Sequence, residues 1–159
     1  MTADRSSEAD RVRVVASAKR WLGTPYRHQA SVAGVGTDCL GLIRGIWRDV
    51  IGQEPERPGA YAPDWAEATG EERLMKAALR HMTRLPVDAA RPGDMLLFRM
   101  LDNGPAKHAA ILVDGFVTGG TILHAYSGHS VCETRLTVPW RRRLAGAFRF
   151  PPSDLPTAG

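Results

Sequence analysis

The chain has 159 residues, of which 43% are apolar and 24% charged, as expected for one globular domain with a sizeable core. Its 21 basic and 17 acidic side chains leave a net charge of +4, carried mostly by arginine because Lys19, Lys76 and Lys107 are the only lysines. Such a surface suits an anionic partner without choosing between cell-wall polymer, nucleic acid and acidic protein, no apolar run reaches the roughly eighteen residues of a membrane span, and two cysteines are too few for a disulfide framework.

In chain order, Met1 to Asp10 is polar and carries no apolar segment ahead of a cleavage site, so no classical signal peptide is expected. Ser7 with Asp10 resembles a capping signal. Val12, Val15, Ala18 and Leu22 then recur at helical spacing until Gly23-Thr24-Pro25 stops the helix. Residues 26–37 read as a loop. A second helix is expected to open at Cys39 with Asp38 as N-cap and to run through Leu42, Ile43, Ile46, Trp47 and Val50 to Gly52. Three prolines in 53–63 mark a connection, and Thr69 with Glu72 forms a capping-box pattern for a helix reaching about Met82.

After Pro92-Gly93 the period changes. Segments 94–100, 107–113, 120–126, 130–136 and 145–150 are short, apolar or alternating, and separated by turn residues, which predicts a mostly antiparallel sheet. Helices first and strands second give an α+β domain over residues 1–150, with N-terminal helices packed on a sheet of about five or six strands. Residues 151–159 are Pro-rich and expected to form a flexible tail.

The chemistry centres on the loop–cysteine–helix junction Gly36-Thr37-Asp38-Cys39-Leu40-Gly41. A nucleophilic cysteine reacts as thiolate, and a helix start offers a positive dipole end and unpaired N–H groups that lower thiol pKa and can stabilise an oxyanion. Gly41 leaves room for a substrate backbone to approach. The same junction also fits a small buried packing cysteine.

His108 opens the strand His108-Ala109-Ala110-Ile111-Leu112-Val113, whose small residues let another element pack close, and it is the candidate base. A hairpin centred on Phe116 sets His108 directly opposite His124, on the same face, where one imidazole orients the other. A tight turn on Asp114-Gly115 would separate them. A metal is a competing use of His124, His129 and Cys132, but no HExxH or paired-cysteine pattern supports one, and no cofactor is expected. His28 and His81 read as ordinary loop and helix residues, and Arg141-Arg142-Arg143 as a solvated charge cluster.

Five segments taken together, Trp21-Leu22-Gly23-Thr24-Pro25-Tyr26, Asp38 to Ile43, Pro92 to Phe98, His108 to Val113 and Ile122-Leu123-His124-Ala125, resemble in order the NlpC family of cell-wall cysteine peptidases, a compact papain-like group. The resemblance spans about residues 10 to 150. It implies Cys39 as nucleophile, His108 as base, His124 as polar third member and Tyr26 in the site wall, with Asp38, Leu40 and Gly41 the substrate-facing residues around the cysteine. Leu40 stands where the family usually has Ser, and His28-Gln29-Ala30-Ser31 replaces its usual Gly-Gly.

Members of that family hydrolyse the bond between D-glutamate and a diamino acid in peptidoglycan stem peptides. Tyr26-Arg27-His28-Gln29-Ala30, Leu97-Phe98-Arg99-Met100 and the Arg-rich stretch from Trp140 to Phe150 resemble the subgroup encoded with phage tails and gene transfer agents. The implied partners are stem peptides and tail or baseplate proteins, with no specific nucleic acid. The implied setting is a phage-like particle made in the cytoplasm and acting in the periplasm of a recipient cell. A structural tail component with little activity, and an amidase or acyl-transferring relative using the same Cys–His pair, are the alternatives.

Overall fold

A computed structural model describes residues 2–56, 72–115 and 119–153, with side chains from residue 8 onward. Helix α1 (Thr2–Lys19) is followed by two short strands, β1 (Ser31–Val32) and β2 (Gly36–Thr37), and by α2 (Cys39–Val50). Then come α3 (Arg73–His81), β3 (Thr83–Leu85), a 3₁₀ turn over Val87–Ala89, β4 (Met95–Arg99), β5 (Ala106–Asp114), β6 (Thr121–His124), β7 (Cys132–Arg135), α4 (Val138–Arg142) and β8 (Leu144–Arg149). The six strands from β3 onward form one antiparallel sheet in the order β3-β8-β4-β5-β6-β7, and β1 pairs only with β2. This is the expected α+β arrangement.

Alternation along the central strands divides the interior in two. Met95, Leu97, Ala109, Ile111 and Leu123 face the helices and join Val14, Ala18, Trp21, Leu42, Ile46, Trp47, Leu74 and Ala78 in the main core. Leu96, Phe98, Ala110, Leu112 and Ile122 face the other way, into a smaller core with Ala90, Leu136 and Ala147, against which Trp140 packs. Sheets buried on both faces read as nearly continuous apolar runs, which is the pattern of Met95 to Phe98.

The helices depart from expectation in instructive ways. The buried stripe of α1 is Arg11, Val14 and Ala18, continued by Trp21, whereas Val12 and Leu22 are exposed. Of the apolar residues expected to face inward, Ala18 is buried and Val15 half-buried, while Val12 and Leu22 are exposed and Arg11 is turned inward to pair with the buried Asp94. Trp21 lies against α2 at Gly45, where a Cβ would collide with the indole ring, so the glycine sets how closely the two helices approach.

Glu72 stands at the N-cap of α3, which begins at Arg73, but its carboxylate makes no capping bond: it reaches across to the Arg99 guanidinium and accepts the Ala106 N–H at 3.1 Å. Thr69 lies outside the described residues. At the other end of the chain, Ser153 donates to the Val50 carbonyl at 2.7 Å, so residues 151–153 are held against the end of α2.

The start of α2 agrees closely with the sequence. Asp38 is the N-cap, and its Oδ1 accepts the Gly41 N–H at 2.7 Å. The loop before it doubles back: Arg27 N–H donates to the Thr37 carbonyl, Thr37 N–H to Pro25 and Asp38 N–H to Ala30. That fold presses the Ala30 carbonyl oxygen onto Gly41, so closely that any Cβ would overlap it and would also stand 2.7 Å from Thr37 Oγ1. The room at Gly41 is therefore taken by the chain's own backbone and not left open to a substrate. Gly41→Ala should destabilise the protein by about 1–3 kcal/mol, the usual range for overpacking. That corresponds to a loss of roughly 3–10 °C in thermal midpoint. A differential scanning measurement showing an unchanged midpoint would contradict this packing.

Candidate active site

The position of Cys39 follows from the α2 cap and from where β6 stops. Leu112 accepts from the Gly93 N–H at 2.8 Å and donates to the Asp94 carbonyl at 3.0 Å, beside β4. Even-numbered residues of β5 thus address β4, and odd-numbered ones address β6. Strand β6 ends at His124, before the positions opposite Ala109 and Lys107. The vacated ladder position is filled by the thiol. Cys39 Sγ donates to the Lys107 carbonyl at 3.6 Å, and the Ala109 N–H points at the sulfur. The residue between those two backbone groups is His108.

The two histidines meet, though not in the expected register. Ile111 pairs with Leu123 and Leu112 with Ile122, which puts His124 opposite Ala110, two residues from the predicted partner. A bulge between Leu112 and Asp114 precedes the turn, and the predicted turn centre at Phe116 lies outside the described residues. Because the shift is by an even number, both side chains stay on one face and become diagonal neighbours. His108 Nε2 lies 2.8 Å from His124 Nδ1, and both rings are buried.

Three further residues complete the surroundings. Thr134, diagonal to His124 across the β6–β7 pair, places Oγ1 at 2.9 Å from His124 Nε2. Cys132 lies directly opposite His124 and sets Sγ 3.7 Å from Thr134 Oγ1. Trp140, carried by α4, has its ring centroid 5.6 Å from His108, 5.2 Å from His124, 5.8 Å from Tyr126 and 5.2 Å from Phe98. It screens the imidazole pair from water. Sequence reasoning missed Thr134 and the role of Trp140. The signal for Trp140 is Thr137-Val138-Pro139, a helix start with proline in the first turn, which delivers the indole onto the sheet.

The electrostatics run against the sequence expectation. The lowering effect of the helix start is outweighed: burial, and then the adjacent Asp38 carboxylate, push the Cys39 thiol up to about 11, and the Ala109 and Leu40 amides and the Lys107 ammonium only partly offset them. Burial, then proximity to His124 and Lys107, takes His108 down to about 3, and His124 falls to about 4. Burial, with Cys39 and Asp38 behind it, raises the Tyr26 phenol to about 12. Thiol, both imidazoles and phenol are therefore all uncharged at neutral pH.

The flanking residues have distinct positions. Tyr26 is half-buried, joined by a backbone bridge to Thr37, and lies in the electrostatic field of Cys39 and Asp38. Asp38 is buried and spends its second oxygen on the Gln29 N–H at 2.7 Å, with His28 Nδ1 3.8 Å away. Leu40 lines a cavity of about 430 Å³ between α2 and α3 together with Ile43, Trp47, Leu74 and Met82. Leu42 N–H donates to the Asp38 carbonyl and Gly41 N–H to its side chain, which leaves the Cys39 and Leu40 amides of the first turn without an oxygen acceptor among the described residues. Among the described residues no three His, Cys, Asp or Glu side chains gather in a metal-binding group, and no helix is long and apolar enough to cross a membrane.

Solved structures of similar shape share this arrangement of elements. The NlpC/p60 domain of the peptidoglycan hydrolase SagA superposes with a TM-score of 0.58 at 25% identity, covering 88% of this chain and 98% of that one. NlpC1 from Trichomonas vaginalis gives 0.62 at 20% identity, over 89% of this chain and 44% of its own. An NlpC/P60 family protein from Bacillus cereus gives 0.61 at 20% identity, over 88% and 40%. In sequence, the chain is 26% identical to the gamma-DL-glutamyl hydrolase of Bacillus subtilis over 149 residues, which is 91% of this chain but 30% of that relative's length. The profile of the NlpC/P60 family matches residues 23–149, and with the papain-like α+β architecture in place the chain belongs to the NlpC/P60 family.

Proposed function

We propose that the protein is a cysteine endopeptidase of peptidoglycan stem peptides, with Cys39 as nucleophile, His108 as base and His124 as the group that orients it. The observation that carries this reading is the thiol seated between the backbone groups on either side of His108, while His108 Nε2 is committed to His124 at 2.8 Å. His108 Nδ1 is then the nitrogen that takes the thiol proton as sulfur attacks the scissile carbonyl. The Cys39 amide, and the Leu40 amide that is directed at the resting thiol, face the developing oxyanion. His108 returns the proton to the leaving amine, and water, deprotonated by the same ring, releases the acyl group. Tyr26 and Asp38 border the nucleophile. Gly41 acts here through its close fit to Ala30, and Leu40 gives the side of the cysteine toward α3 an apolar wall.

The bond between D-glutamate and the diamino acid is the proposed point of cleavage. The likeness to a hydrolase of gamma-DL-glutamyl links, and to the domain of a peptidoglycan hydrolase, supports that choice. The motifs at 26–30, 97–100 and 140–150 support a place in a phage-like tail, where the protein would act on the wall of a recipient cell. A structural tail part is the second reading; the bond between His108 and His124 favours the enzyme, because structure alone does not require two buried polar rings to meet.

Cys39→Ala and His108→Ala should each abolish release of cleaved stem peptides from purified peptidoglycan, read by mass spectrometry of the soluble products. His124→Asn, which keeps a polar group at the third position, should retain a fraction of the activity. Undiminished release by the Cys39 variant would end the proposal. Mass analysis of the same digest separates endopeptidase from amidase products.

The neutral imidazoles also fix how stability depends on pH. In the unfolded chain both return to about 6.5, so it gains protons as pH falls below that value, while the folded protein does not until about 4 for His124 and about 3 for His108. Stability present above pH 6.5 is therefore lost on acidification, at about 1.4 kcal/mol per pH unit for each histidine. Thermal midpoints measured from about pH 7 to pH 4 should fall, and His124→Asn should flatten the decline. Identical slopes for the variant and the wild type would show that the imidazole is not held neutral.

A further inference from the structure

The base pair of imidazoles does not end at His124. Its Nε2 reaches Thr134 Oγ1 at 2.9 Å, and that hydroxyl in turn reaches Cys132 Sγ at 3.7 Å. We propose that Thr134 is a positioning residue that fixes the tautomer of His124, and through it the proton-accepting nitrogen of His108.

Donors and acceptors must match along the whole line. A neutral imidazole has one N–H and one bare nitrogen. For His108 to accept a proton at Nδ1, its hydrogen must be on Nε2 and be donated to His124 Nδ1. His124 Nδ1 must then be bare, and its hydrogen must sit on Nε2. That hydrogen needs an acceptor, and Thr134 Oγ1, half-buried on β7, is the atom there. Cys132 Sγ, a weak acceptor 3.7 Å from Thr134 Oγ1, offers the hydroxyl hydrogen a partner, and in that arrangement the oxygen lone pairs turn to the imidazole.

If the hydroxyl donated to His124 Nε2 instead, every bond along the line would reverse. His108 would then carry its hydrogen on Nδ1 and have no site for the thiol proton. No proton moves to Thr134 during the reaction: the thiol proton goes to His108 Nδ1 and leaves from there. Other polar groups near His124 do not supply this acceptor. His108 faces it from β5 through the nitrogen already used, and His129 stacks on Tyr126 with ring planes 18° apart. Trp140 has only a donor. Cys132 lies opposite on β7 and is joined to the line through the hydroxyl.

The catalytic part of this inference rests on Cys39 and His108 being the reacting pair, but the tautomer does not. Long-range proton–nitrogen correlation spectra of the imidazoles, recorded on the whole protein without substrate, should show His124 bare at Nδ1 and protonated at Nε2. Thr134→Val keeps the shape and removes the acceptor; it should give mixed tautomers at His124. It should also lower kcat on peptidoglycan about tenfold, the worth of one hydrogen bond, with KM within about twofold. Thr134→Ser should restore both readouts.

A wild-type spectrum with His124 protonated at Nδ1 would overturn the assignment, as would a Thr134→Val protein with unchanged tautomer and kcat. The wild-type spectrum alone decides the tautomer if the valine variant does not fold. A protein that shows the expected tautomers yet cuts no peptidoglycan would refute the enzymatic reading and leave the tautomer assignment standing.

Discussion

The buried carboxylate of Asp38 is the constraint on which the site depends. One oxygen caps α2 through the Gly41 N–H, and the other holds the Gln29 N–H in the returning loop. Gln29 is the one described non-glycine residue with a left-handed backbone, at φ 65°, and that bond fastens it. The loop can then set Ala30 against Gly41 and Ser31 Oγ on the Gly41 carbonyl at 2.6 Å. Cys39 begins the helix between these attachments, so its Sγ arrives at a fixed point beside β5. A cap worth about 1 kcal/mol in an ordinary helix here also fixes the direction of the Cys39 thiol.

The same carboxylate carries an electrostatic cost. It is next to the thiol, and with burial it keeps the sulfur protonated. The dipole and amides of the helix start act in the opposite direction, but beside this carboxylate they only partly offset it. The chain therefore gains precise placement of the sulfur and gives up a standing thiolate. The histidines are set by the same logic. Trp140, Phe98 and Tyr126 surround them, and the exclusion of water that strengthens the bond between His108 and His124 also prevents either ring from holding a charge at neutral pH.

How much of this was legible in the sequence follows from the range over which each feature is determined. Asp38 before Cys39 is a local signal, and the helix begins where it says. The strand segments were readable because each carries its own apolar pattern; β3, three residues with no apolar run, was not. The pairing of His108 with His124 was legible as a shared face, since alternation fixes parity, but the register depended on a bulge between Leu112 and Asp114 that no residue pattern announces. Thr134 joins the line only through the β6–β7 register, and Trp140 only through the docking of a five-residue helix. The stripe of α1 was misread because a buried arginine, Arg11, occupies a position that hydropathy assigns to solvent. The thiol's pKa was misread for a related reason, since the helix start is visible in sequence and the depth of burial is not.

These properties together constrain the order of events at the sulfur. Burial pushes the Cys39 thiol up and His108 down, so each favours its neutral form in the structure without substrate. The thiol instead donates to the Lys107 carbonyl at 3.6 Å. In the proposed reaction, proton transfer to His108 would accompany attack, as the substrate's carbonyl carbon takes the charge from sulfur and the Cys39 and Leu40 amides hold it on oxygen. In such a site the identity of the accepting nitrogen matters more than it would for a preformed ion pair, because no charged state exists beforehand to select it. Selection has to be made by neutral hydrogen bonds, and the line from His108 through His124 to Thr134 is the set of neutral hydrogen bonds in position to make it.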